Sequence, residues 1–98
     1  MLRITLQDVL AQPALNLFNA HNTTAVSGTG LNGTEAKHQL MVRGDANDFA
    51  QVSNLSTDWA PTHTVVACDG HQYSVYNAKT GDAQLLIDMH IVNSSHVL

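Results

Sequence analysis

Asp69 and Gly70 stand between two runs rich in β-forming residues, Thr64 to Cys68 and His71 to Asn77. Two residues of this kind between two such runs are a signature for a tight hairpin turn. An isolated hairpin is barely stable in water, so the rest of the chain has to supply further strands and a cover. A third strand is expected over Gln84 to Val92, after a turn containing Gly81. In it Leu85, Ile87, Met89 and Ile91 alternate with Leu86, Asp88, His90 and Val92.

The expected cover comes from the N-terminus. Leu6, Val9, Leu10, Pro13, Ala14, Leu17 and Phe18 recur at helical steps and form one apolar stripe. Thr5 and Asp8 make a capping pair, the hydroxyl accepting a first-turn amide and the carboxylate lying near the positive helix end. Pro13 would remove a hydrogen bond inside this helix, predicting a kink or two short helices meeting near Gln12. Asn19 to Thr34 is polar and glycine-bearing and reads as loop around a short strand at Thr24 to Ser27. Ala36 to Arg43 has a helical composition but alternates as a strand does, and strand is the favoured reading. Asp45 to Ser53 reads as a short helix capped by Asp45, with Phe49 and Val52 inward, before Pro61 restarts an extended segment. The expectation is an α+β fold: a single domain over residues 1–98, with an N-terminal amphipathic helix packed on an antiparallel sheet of three to five strands.

Composition narrows the function classes. Four Lys and Arg against eight Asp and Glu give a net charge of −4, and Arg3, Lys37, Arg43 and Lys79 are scattered, which argues against nucleic-acid binding. Charged residues are only 12% of the chain against 44% hydrophobic, so little charge keeps copies apart and a homo-oligomer, a dimer first, is expected. Six His residues would carry the formal charge from −4 to +2 if all were protonated. The longest strictly aliphatic run, Leu85 to Ile87, is far too short to span a membrane, and Met1 to Phe18 lacks the pattern of a secretory signal. With Cys68 the single cysteine, these features point to a cytoplasmic setting. The glycosylation-like triplets at Asn22, Asn32, Asn54 and Asn93 read as turn chemistry in a chain rich in Asn, Ser and Thr.

The hairpin also defines the main chemical candidate. A two-residue turn sets Cys68 against His71, with Asp69 beside them, on the side that carries Val66, Tyr73 and Val75. A neighbouring imidazole can activate a thiol as a nucleophile, while the structural alternative makes Cys68 a core residue and His71 a hairpin-tip residue. A metal is the next candidate: Cys68 and His71 on one face, or His63, Asp88 and His90 meeting on the other, with His63 paired to Tyr76. Gly28, Gly30 and Gly33 have the spacing of a dinucleotide-binding loop, but the short polar strand before them and the chain length do not suit that fold. The acidic residues Asp45, Asp48, Asp58, Asp69 and Asp82 read as helix-start, loop and turn residues rather than paired catalytic carboxylates. Trp59 is either a partner anchor or a core residue.

The leading functional expectation is a small non-catalytic binding module without a cofactor. It self-associates or binds a protein partner through outward Leu86 and Val92 and through Trp59. The alternatives are a small thiol or metal-dependent enzyme centred on Cys68 and His71, and a pH-responsive small-ligand-binding protein.

Overall fold

The computed structural model describes residues 2–12, 18, 22–28, 31, 37–44, 49–79 and 82–93. The chain runs β1 (Leu2–Ile4), α1 (Leu6–Leu10), β2 (Thr24–Ser27), β3 (His38–Val42), β4 (Ala50–Val52), α2 (Leu55–Asp58), β5 (Trp59–Cys68), β6 (His71–Ala78), β7 (Ala83–Asp88) and α3 (Met89–Asn93). Five strands form one sheet in the order β2-β5-β6-β7-β3, and β1 pairs with β4 in a second, two-stranded sheet.

The β5–β6 hairpin has the expected register, with Cys68 opposite His71. Asp69 and Gly70 take φ of 51° and 78°, the left-handed pair such a turn requires. Farther along, the β5–β6 register shifts between Pro61 and Val65, so Pro61, not His63, faces Tyr76. The Thr62 hydroxyl donates to the Val75 carbonyl at 2.8 Å and accepts from the Thr64 amide at 3.1 Å, closing this irregularity internally. Gly28, at the end of β2, lies so close that a Cβ there would sit 2.5 Å from Thr64 Oγ1.

The expected helix-on-sheet architecture does not form: the described residues are mostly β, and the helices among them are short. The capping box at Thr5 and Asp8 is present, but α1 covers only Leu6–Leu10 and buries Val9 alone. Pro13 to Leu17, the rest of the apolar stripe, lie outside the described residues. Nor is the sheet purely antiparallel, because β3 pairs with β7 in parallel, from His38 opposite Ala83 to Val42 opposite Ile87. Instead of an Asp45–Ser53 helix, Ala50–Val52 extend as β4 beside β1, with residues 45–48 outside the described set.

The last strand also differs. β7 stops at Asp88, whose carboxylate accepts from the His90 amide at 2.9 Å as an N-cap side chain does, and Met89–Asn93 become α3. Because β7 lies between β6 and β3, all six of its residues are buried. Leu85 and Ile87 join Ile4, Val9, Val42, Val52, Trp59 and Ile91 in one apolar cluster. Leu86 joins Leu31, Val66, Tyr73 and Val75 in a second cluster on the other face. The expected outward Leu86 is therefore fully buried, and Val92 packs half-buried from α3 against the first cluster. Trp59 is also a core residue, 1% exposed. No helix among the described residues is long and apolar enough to cross a membrane.

Beside the second cluster runs a buried polar row. The Gln84 amide donates to Asn77 at 3.0 Å, and Gln39 donates to Gln84 at 2.7 Å. Gln39 also exchanges two bonds with the backbone of Phe18, at 2.7 and 2.9 Å. The row ties Phe18 to the sheet and satisfies polar groups that would otherwise be costly to bury.

Candidate functional site

The sheet topology brings three chain segments to one end of the molecule. β6 runs antiparallel to β7 with Tyr73 opposite Asp88, so the start of β6 lies beside the end of β7. β3 runs parallel to β7 and delivers Arg43 and Gly44 to the same end. His71, Asp88, His90 and Gly44 therefore meet, although they come from distant parts of the sequence.

Asp88 is the centre of this group. It is 0% exposed and both of its oxygens are engaged. Oδ2 lies 3.0 Å from His71 Nδ1 and accepts from the Gly44 amide at 3.3 Å. Oδ1 lies 2.8 Å from His90 Nδ1 and accepts from the His90 amide at 2.9 Å. The two imidazoles stand nearly edge to face, with centroids 6.3 Å apart. Burial pushes the Asp88 carboxyl up, but the His90 amide and ring, the Gly44 amide and the His71 ring outweigh it and hold the group below the ordinary carboxylate range. A buried carboxylate is thus kept charged by donors from three segments.

One ligand atom from each of His71, Asp88 and His90 lies within 4.8 Å of the others. The His71 and His90 side chains are 39% and 61% exposed, so the group opens to solvent through its imidazoles while the carboxylate stays buried. Beside it Tyr73, two residues from His71, is buried with its hydroxyl unpartnered. Burial pushes its phenol up, and the Arg43 guanidinium pulls the other way. Arg43 itself reaches across to Asp69 at 3.2 Å on the exposed surface, where the hydrogen bond to Asp69 raises its already high pKa.

The sequence candidates are redistributed by this geometry. His71 stands opposite Cys68 as expected, but its Nδ1 is turned to Asp88, and Cys68 packs against the second apolar cluster. Asp69 is engaged by Arg43 rather than by the His71 ring. Asp88 and His90 do converge, but their third member is His71, while His63 lies exposed in the irregular stretch of β5 with φ of 56°. The missing signal was the β6–β7 register, which sets Tyr73 opposite Asp88. Of the glycine triplet, Gly28 packs against Thr64, while Gly30 and Gly33 lie outside the described residues. Comparison of the chain with protein-family models, with curated proteins and with solved structures found no match.

Proposed function

We propose that this protein binds a divalent transition-metal ion through His71, Asp88 and His90. The observation that carries the reading is a fully buried carboxylate holding one imidazole on each of its oxygens, at 3.0 and 2.8 Å. Buried charges are normally paired or coordinate metals, and an ion seated among these atoms would replace the protons now shared between the Asp88 oxygens and the two Nδ1 atoms. Two imidazoles and one carboxylate favour zinc, nickel, copper or iron over calcium or magnesium, which prefer sites made wholly of oxygen. The exposed imidazole edges offer the ion an entry path.

The test is a native mass spectrum of the untagged chain with zinc, followed by calorimetric titration of variants. One ion per chain is expected, with binding lost in His71→Ala and His90→Ala and retained in His63→Ala. Absence of a specific ion, or equal weakening by His63→Ala, would reduce the cluster to a hydrogen-bonded clamp between β6, β7 and α3.

Self-association is the second reading, favoured by one observation. Among the described residues β2 is the end strand of the five-stranded sheet, all four of its residues are exposed, and Val26 is 50% exposed. An edge of this kind can pair with a second copy. Sedimentation that gives a monomer at high concentration would remove this reading without touching the metal site.

A further inference from the structure

We infer, building on the self-association reading above, that two copies of this chain join edge to edge. In this pairing β2 runs antiparallel to the β2 of the second copy, and Val26 faces its own counterpart across a two-fold axis.

Among the described residues the five-stranded sheet has two end strands, β2 and β3. They differ in cover. No residue of β3 is exposed and α1 packs beside it, whereas every residue of β2 is exposed. A strand that ends a sheet turns part of its backbone N–H and C=O groups away from its one partner, and those groups can pair with another strand.

Natural edges are protected by Lys, by Pro, by an inward charge or by a bulge. Asn22 to Gly28 contains no charged residue and no Pro, so in a chain of net charge −4 this segment meets a second copy of itself without repulsion. Only a bulge is present, and it sets Val26 free. The register with β5 passes from Ala25 opposite Val66 to Ser27 opposite Val65, which leaves Val26 as the extra residue with no partner on β5. Val26 and Phe49 are the large apolar side chains exposed among the described residues, and of these only Val26 lies in a strand.

With Val26 on the axis, antiparallel pairing sets Ala25 opposite Ser27, and Thr24 opposite Gly28, of the second copy. No pair brings charge or bulk together, and the two exposed valines cover each other. The contact is isologous, so it closes at two chains instead of growing into a fibre. Four residues a side make a small interface, so the dimer is weak and reversible.

The experiment follows the full chain by sedimentation velocity from about 10 μM to about 1 mM, with thermal unfolding to check that each variant folds. The parent should pass from monomer to dimer over that range. Val26→Lys, which sets two like charges face to face, should raise the dissociation constant at least about tenfold and leave the melting temperature of the exposed site's monomer unchanged. In a Cys68→Ser background, Val26→Cys should form a disulfide between two chains on mild oxidation, because directly opposed residues are close enough for one. Thr24→Cys, two residues off the axis, should not. If the chain dimerises and Val26→Lys leaves the dimer intact, or if Thr24→Cys cross-links and Val26→Cys does not, this edge and register are overturned and the self-association reading stands. Assemblies larger than two chains overturn the two-fold closure. A parent that stays monomeric at about 1 mM removes the inference and the reading together.

Discussion

Replacing Asp88 by Asn removes the charge at the centre of the cluster and keeps its shape. The carboxylate accepts from two backbone amides and engages two imidazoles. Asn offers one acceptor oxygen and an NH₂ group. With the oxygen kept toward His90, the NH₂ faces the Gly44 amide across a contact that is 3.3 Å in the parent, donor against donor. A buried donor left without a partner costs about 1–3 kcal/mol, and the imidazole bonds lose their charge assistance as well. A total near 3 kcal/mol follows, which in a domain of this size lowers the melting temperature by roughly 12–24 °C. Zinc affinity should fall by more than the roughly 10–100-fold that loss of an outer-shell partner costs, because a charged ligand is removed. Thermal unfolding of the metal-free variant and calorimetric zinc titration measure the two effects separately. A stability loss under about 1 kcal/mol with unchanged zinc affinity would refute the view that this carboxylate organises the site.

Three further outcomes are expected. Leu86→Ala, at a fully buried position between β6 and β3, should cost about 2–5 kcal/mol in denaturant unfolding; a surface-like loss would mean that this face of β7 is not covered. Gly28→Ala should cost roughly 2–3 kcal/mol, because it combines φ of 77° with a Cβ 2.9 Å from the Thr64 Cα, whereas Gly70→Ala, at φ of 78° in open space, should cost only about 1 kcal/mol; equal losses would contradict the close approach of β2 to β5. The folded Asp88 pKa lies below its unfolded value of about 3.9, so its stabilisation is complete above that pH and is lost as pH falls through the folded value. The stability gap between the parent and Asp88→Asn, followed by denaturant titration, should therefore narrow below about pH 4, and a constant gap would contradict the assignment.

Local signals in the sequence determined local structure. Asp69–Gly70 between two β-forming runs sets the hairpin and the Cys68–His71 register, and Thr5 with Asp8 sets the start of α1. The alternation from His38 to Val42 marks β3 correctly, since a period of two is a property of the strand itself. Competition among longer-range contacts decided the rest. The run Leu85–Leu86–Ile87 is apolar on both faces because β7 is central and covered on both sides, a pattern that alternation alone misreads as one inward and one outward face. Ala50–Val52 extends because β1 offers it a parallel partner more than 40 residues away, which overrides its helical composition. The end of β7 follows from the Asp88 side chain capping the next turn, where the alternating pattern from Met89 to Val92 implied more strand. The site depended most on tertiary structure. Its residue types were visible, but His71 reaches Asp88 only through the β6–β7 register, and Gly44 only through the parallel β3–β7 pair. A carboxylate's partners are chosen by strand order, and strand order is settled by burying both faces of the sheet at once, a condition on the whole chain that no short stretch of sequence encodes.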